Sequence, residues 1–570
     1  MRRLTLAVGS AAGALALAAT GSLVFTPSSP ASPVRLSAQG SASPFAAQRI
    51  AWKPCVDPAD FPGEDVPPVF KRFDCATMTV PLDWAAPATG RLKIAVSRLR
   101  SASGRAQGVV FTNPGGPGGP GTGLPLSFAD LNGRSKLADA MQIVGIDVRG
   151  TGESSTVSCG NGTPYRPLDP RNRSKANVAK LLREASSVAT ACQRASGARG
   201  RYITTWQTVR DLDLLRSLLG QPKVHWIGYS GGSWLGAHYA TAFPKRTGRF
   251  VLDSNVDFTG TWQQAFARQS MGFERRFRQD FAPWAAKYNR TYGLGKNAAQ
   301  VRRTYEAIRA DLARSPLPML HGGSMHAVEV DNLIARGMYA KFDFPEVARV
   351  LSVLRRYTGV KVRAAAAPAD LARSVEKLRK RWSPLRVEEE PAWDGDTATF
   401  YSVTCNDTPR TGTVKSLVAG SAKAGRAYPL IGYATISDPC QYWKRPKAKA
   451  LPKPTGKGVP PVLMVQSTHD PATPYEGAVN AHRRFAGSRM LTVTREGDHA
   501  LYAGGNACVD RVVDAYIVNG VLPKNDLSCT GTPMFPPGGG PGLSAQSSKD
   551  LPGNPLERAR VLSERYRLRG

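Results

Sequence analysis

The sequence predicts an α/β protein whose core sheet is interrupted by a mostly helical insertion, and three observations predict it. An apolar run, Val224-His225-Trp226-Ile227, enters Gly228-Tyr229-Ser230-Gly231-Gly232 and leaves as a helix-like stretch over residues 233–243, the strand, sharp turn and helix that a Gly-x-Ser-x-Gly nucleophile elbow requires. Short apolar runs recur at 109–111, 143–147, 250–252, 462–466 and 490–494, which suits buried core strands. Residues 256–460 separate two consecutive core-strand signals and are too many for a loop. A chain of 570 residues is long enough for one large core plus such an insertion.

Taken in order, the chain begins with Arg2-Arg3, an uncharged Leu/Ala-rich stretch over 4–17 and a small-x-small site at Ala16-Leu17-Ala18, the layout of an export signal. The uncharged run extends to Phe25, and its many Gly, Ala, Ser and Thr residues argue against a retained membrane span. Residues 1–47 are read as this signal plus a Pro/Ser/Ala-rich leader, 48–255 as the first part of the core, 256–460 as a helical lid, 461–530 as the last part of the core, and 531–570 as a Pro/Gly/Ser-rich linker with a basic amphipathic tail at 556–568. In the core, Val109-Val110-Phe111 runs into the glycine- and proline-rich segment 113–121. Its unhindered backbone N–H groups suit one half of an oxyanion hole at Gly116, with the N–H of Gly231 as the other half. Asp147 and Arg149 are expected to hold a loop beside this site. Within the insertion, apolar spacing predicts helices over 261–288, 298–313, 332–339, 345–357 and 368–381.

An activated serine needs a histidine and an acid, in the chain order Ser, Asp/Glu, His. Of seven histidines, His225 and His238 flank the elbow, His321 and His326 fall outside the core-strand signals, and His469 and His482 precede or lie between the last of those signals. His499 alone follows a β-like run, Met490 to Thr494, in a polar turn. Its partner is expected where the preceding strand ends, at Asp470, with Asp498 and Asp253 as alternative acids.

Five segments in one order carry a family resemblance: the Pro-Gly-Gly-Pro-Gly loop, the Asp-x-Arg-Gly-x-Gly-x-Ser segment from Asp147, the Gly-Tyr-Ser-Gly-Gly elbow, the Asp-Pro-x-Thr-Pro loop from Asp470 and the Gly-Asp-His turn. Together they resemble α/β-hydrolase serine peptidases related to prolyl aminopeptidase, most of all the secreted tripeptidyl aminopeptidases of actinobacteria, over about residues 50–530. Thr204-Thr205 with Asp211-Leu212-Asp213, and Cys405-Asn406-Asp407, are also similar to that family's pattern. Pro114 stands where prolyl aminopeptidases carry His, which favours the tripeptidyl branch. The resemblance implies an α/β-hydrolase fold and release of tripeptides from peptides with a free N-terminus, through an acyl-enzyme on Ser230. Holding the substrate ammonium would need carboxylates on the insertion or at its junction with the core, with Asp407, Glu329, Asp331 and Glu346 as candidates that sequence does not separate. An esterase or lipase shares the catalytic parts and differs only in its pocket.

Eight cysteines fall into four sequence-local couples, Cys55 with Cys75, Cys159 with Cys192, Cys405 with Cys440 and Cys508 with Cys529, which fits an oxidising, extracellular compartment. Neither Cys-x-x-Cys nor His-Glu-x-x-His occurs, so no metal or cofactor is expected. The formal net charge of +33 raises a second class of function, a cationic protein that binds a polyanion without catalysis. Its basic residues are spread along the chain without an aromatic-interleaved stripe, which argues against nucleic acid and leaves an anionic cell wall as the expected partner of the charge.

Overall fold

Alternation along the apolar runs sends successive side chains to opposite faces of one sheet. Phe111, Phe250 and Leu252 belong to one buried cluster, whereas Val110, Val251, Leu463 and Val465 belong to another, as the two-residue period of a strand requires. With both faces covered, the central strands read as nearly unbroken apolar runs. A computed structural model describes residues 44–57, 65–129, 135–160, 167–319, 324–357, 369–382, 394–447 and 450–537. The expected export signal, most of the leader, the tail at 556–568 and His321 lie outside the described residues.

The strands are β1 (Lys53–Pro54), β2 (Phe73–Pro81), β3 (Arg91–Leu99), β4 (Val109–Asn113), β5 (Gln142–Ile146), β6 (Val224–Tyr229), β7 (Thr247–Asp253), the short pair β8 (Leu317–Pro318) and β9 (Ser324–Met325), then β10 (Leu463–Ser467), β11 (Arg489–Thr494) and β12 (Leu527–Thr530). Ten form one sheet in the order β1-β2-β3-β5-β4-β6-β7-β10-β11-β12. The first four in that order pair antiparallel, and pairing from β5 onward is parallel. The cysteines join as Cys55–Cys75, Cys159–Cys192, Cys405–Cys440 and Cys508–Cys529. Among the described residues no helix is long and apolar enough to cross a membrane.

The crossover from β7 to β10 carries the helical insertion. The stretch expected as one helix over 261–288 is a helix Trp262–Arg276, a π-helical turn Phe277–Phe281 and a helix Ala282–Lys287. Pro283 lacks an N–H to donate to the preceding turn, which accounts for the widened turn just before it. The helix expected from 332 starts earlier, at Ala327, where the Glu329 side chain reaches back to accept the His326 N–H. Helices Ala298–Arg314, Ala327–Gly337 and Phe344–Tyr357 bury a core of their own, with Ile308, Ile334 and Leu351 at its centre. A further helix, Gly395–Asp407, was not signalled by apolar spacing because its buried positions include Thr399, Ser402, Thr404 and Asn406. It packs on the sheet's own cluster through Ala398 and Val403.

The carboxyl end of β7 ties together three loops that carry the candidate residues. The Asp253 carbonyl accepts the N–H of Ser230 at 2.9 Å. Its carboxylate accepts the N–H groups of Leu501 at 3.1 Å and Tyr502 at 2.7 Å. The Ser254 hydroxyl accepts the N–H of Ala500 at 2.8 Å, and the Ser254 N–H donates to Val465 on β10 at 2.9 Å. Burial pushes the Asp253 carboxyl up to about 7, against the pull of these N–H donors. A carboxyl whose pKa is raised on folding binds its proton more tightly in the fold, so this contribution to stability is full below about pH 4 and is lost as pH rises toward 7. Asp253→Asn should therefore make stability fall less steeply over that range, measured as denaturant midpoint against pH, and an unchanged slope would count against the assignment. The amide also turns a donor toward the N–H groups of residues 501 and 502, so we expect a loss of about 1–3 kcal/mol at neutral pH.

Candidate active site

Ser230 sits between β6 and the helix Gly231–Ala242 with φ 54° and ψ −121°, a backbone conformation that non-glycine residues hold only when their surroundings enforce it. The enforcement is close packing. A Cβ on Gly232 would lie 2.6 Å from the carbonyl oxygen of Asn113 at the end of β4, and one on Gly115 would lie 2.6 Å from the Gly231 nitrogen. The glycine-rich loop after β4 therefore rests directly on the elbow. As the first residue of its helix, Gly231 has an N–H without an intrahelical acceptor, and a Cβ on it would lie 3.1 Å from the backbone of Gly116. Asp147 pins the far end of the same loop by accepting the N–H groups of Gly121 at 2.7 Å and Thr122 at 2.9 Å. Arg149 makes a buried two-pronged pair with Asp211, both contacts at 2.7 Å.

Asp470 follows β10 and is fully buried. One oxygen accepts the N–H groups of Ala472 at 2.9 Å and Thr473 at 2.8 Å, and the other lies 2.9 Å from Nδ1 of His499. This contact engages Nδ1 of His499 and fixes the orientation of the ring. The two alternative acids are engaged elsewhere: Asp253 in the tie at β7, and Asp498 with Arg276 and with the Lys341 N–H. The remaining described histidines have other surroundings. Burial lowers His225 to about 4 and His238 to about 3, His469 pairs with Asp280, and His482 pairs with Asp526.

The insertion reaches His499 directly. The carbonyl of Tyr339 accepts the His499 N–H at 2.9 Å, and its ring meets the imidazole edge-on, centroids 5.4 Å apart. Beside it, Lys341 and Arg276 from the insertion pair with Glu496 and Asp498 on the loop that carries His499. Apolar spacing places Tyr339 at the end of a predicted helix, but no motif in the sequence signals its contact with His499.

Ser230 opens on a narrow space of about 30 Å³ bordered by Gly116, Asp257, Trp262, Gln269 and Thr473. A cavity of about 420 Å³ adjoins it and shares Trp262, Phe266 and Gln269 as wall. None of the four carboxylates considered for the substrate ammonium lines either space. Asp407 accepts from the N–H of Thr205 at 2.8 Å and its hydroxyl at 2.6 Å, and burial raises it to about 6. Glu329 caps its helix through the His326 N–H. Asp331 is held by Tyr305, Arg309 and Arg171 in a buried cluster, and Glu346 lies beside Arg349. Among the described residues no group of three or more His, Cys, Asp or Glu side chains is arranged to hold a metal ion.

Comparison with known proteins agrees with this geometry. Residues 108–291 match the family described as alpha/beta hydrolase fold, and residues 428–529 match the family described as TAP-like protein. The chain is 31% identical over 493 residues to the tripeptidyl aminopeptidase of Streptomyces lividans, covering 84% of this chain and 86% of that protein. It is 26% identical over 511 residues to serine protease Hip1 of Mycobacterium tuberculosis, covering 86% of this chain and 92% of Hip1. Carboxylesterase B of the same organism is 26% identical over 502 residues, covering 86% of this chain and 92% of that relative. The chain belongs to the tripeptidyl aminopeptidase family of serine hydrolases, built on the α/β-hydrolase fold.

Proposed function

We propose that this chain is an exported serine exopeptidase that removes tripeptides from the free N-termini of peptides, with Ser230 as nucleophile, His499 as base and Asp470 as the orienting acid. The observation that carries the reading is the buried Asp470–His499 contact of 2.9 Å, set behind a strained Ser230 elbow, in a chain so similar to a tripeptidyl aminopeptidase. Nε2 of His499 takes the Ser230 proton as Oγ attacks the scissile carbonyl. Asp470 fixes the tautomer and stabilises the imidazolium, and the N–H groups of Gly116 and Gly231 receive the developing negative oxygen. The leaving amine then takes the proton from His499, and water, deprotonated by the same base, hydrolyses the acyl-enzyme to release the tripeptide. Four disulfides in the fold support export to an oxidising compartment. A second reading, hydrolysis of carboxylic esters, draws on the similarity to carboxylesterase B.

Ser230→Ala should abolish both turnover and labelling by a fluorophosphonate probe while leaving the circular dichroism spectrum unchanged. Turnover close to wild type would remove Ser230 from the mechanism, and absence of probe labelling in the wild type would favour a non-catalytic, cationic binding protein.

Asp470→Asn should lower kcat by about 10³- to 10⁴-fold, because an amide can hold the imidazole in the wrong tautomer. The same loss from Asp498→Asn, with Asp470→Asn near wild type, would reassign the acid.

Acetylating the α-amino group of a good tripeptide amide substrate should lower kcat/KM by about tenfold to a hundredfold, since a charge-assisted contact contributes roughly 1.5–3 kcal/mol. Equal hydrolysis of the free and acetylated substrates, with rapid cleavage of a short-chain ester, would favour the esterase reading.

A further inference from the structure

The adjoining cavity of about 420 Å³ has the size of a ligand pocket, and its wall is mostly apolar and aromatic, with Phe400, Tyr401 and Leu417 facing Trp262 and Phe266. Among its lining residues Asp438 is the one carboxylate and Arg410 the one cation. Trp262, Phe266 and Gln269 border both spaces, so this cavity lies directly beside the space that a chain acylating Ser230 would enter. Three extended residues span about 10 Å, so the terminal ammonium of a tripeptidyl group falls well beyond the narrow space at Ser230.

Asp438 has the remaining acceptor capacity for that ammonium. One oxygen caps the turn Pro439–Gln441 by accepting the Cys440 N–H at 2.9 Å, and the other pairs with Arg410. A carboxylate offers about four lone-pair sites, and the side chain keeps 21% of its surface exposed. Burial raises the Asp438 carboxyl above its ordinary range while Arg410 and the Cys440 N–H pull against that rise, and the Cys405–Cys440 bridge anchors the turn to the helix Gly395–Asp407. Asp257, the carboxylate beside Ser230, is already taken by Arg268 at 3.0 Å, Asn480 at 2.7 Å and Thr259 at 2.8 Å, and its position in the narrow space is too near the nucleophile to meet the third residue.

We infer that the cavity bounded by Trp262, Phe266, Phe400 and Asp438 receives the three residues on the acyl side of the cleaved bond, and that Asp438 holds their free α-ammonium. This site rests on the exopeptidase reading and would give it a ruler, with Asp438 fixing the amino end of the acyl chain and Ser230 the cleaved bond.

The test uses the full-length enzyme, wild type and Asp438→Asn, with a chromogenic tripeptide amide and its N-acetyl counterpart. The wild type should prefer the free amine, and Asp438→Asn should lower kcat/KM for the free amine by about tenfold to a hundredfold, chiefly through KM. The acetylated substrate should stay within about twofold of its wild-type value, so the preference collapses. Asp438→Ser keeps an acceptor for the Cys440 N–H and should behave alike, which separates lost recognition from a lost cap. Fluorophosphonate labelling of Ser230 at the wild-type rate in either variant verifies that the catalytic site is intact. Equal losses on both substrates, a retained preference, or collapse in Asp257→Asn in place of Asp438→Asn would each overturn the assignment. Absence of any preference in the wild type would instead overturn the exopeptidase reading itself.

Discussion

Much of the geometry around Ser230 depends on the last residues of β7. Ser230, Asp470 and His499 stand on three loops, and to act together as proposed they need those loops fixed to one another to within a fraction of an ångström, whereas a sheet by itself fixes only where each strand ends. Here the Asp253 carbonyl takes the N–H of the elbow serine, the Asp253 carboxylate and Ser254 hydroxyl take three successive N–H groups after His499, and the Ser254 N–H reaches the strand that ends before Asp470. Asn255 adds a second link to that strand: its side-chain amide donates to the Val465 carbonyl at 2.9 Å, and its backbone N–H donates to the side-chain oxygen of Gln466 at 2.6 Å. Burying a carboxylate is costly unless it is hydrogen-bonded. Raising Asp253 to about 7 is the cost of keeping these loops in register.

The insertion contributes the other half of the constraint on His499. Its loop is held on the sheet side by Asp253 and Ser254, and on the insertion side by Tyr339, Arg276 and Lys341. Buried ion pairs of this kind add little net stability over apolar packing, but breaking one partner is strongly destabilising. Their effect is to couple positions: the loop bearing His499 is tied to the Arg276 and Lys341 segments of the insertion. A cover that merely shielded the site from water would need no such contacts.

The parts legible in the sequence are those where backbone geometry restricts residue type. Glycines at 115 and 232 are required by approaches too close for a side chain, and strand ends are marked by apolar runs giving way to polar turns. The order Ser, Asp, His then sufficed to bring Asp470 and His499 into contact. What was not legible depends on side chains far apart in the chain. Gly395–Asp407 escaped notice because a helix buried on several sides with Thr, Ser and Asn has no apolar stripe. The carboxylates Glu329, Asp331, Glu346 and Asp407 could be picked out as acidic residues of the insertion, yet each has a partner in the fold that no spacing announces. Asp438, between a serine and a proline in an irregular stretch, carries no motif at all.

An exopeptidase that counts residues needs its pocket wall held rigidly against its nucleophile, because slack between the two would blur the count. The aromatic residues supply that rigidity. Trp234 stands on the helix that begins immediately after Ser230, and its ring stacks on Trp262 with centroids 4.3 Å apart. Trp262 opens the first helix of the insertion, stacks in turn on Phe266 at 5.6 Å, and borders both the space at Ser230 and the larger cavity. Phe266 meets Phe400 at 5.5 Å on the helix that Cys405 ties to the turn carrying Asp438. Large flat side chains lose little conformational entropy when fixed and resist small displacements once packed. The nucleophile helix, the pocket wall and the far end of the cavity are thus linked by continuous ring contacts and one disulfide. If Asp438 holds the substrate ammonium as proposed, the count of residues is set by the same packed unit that positions Ser230.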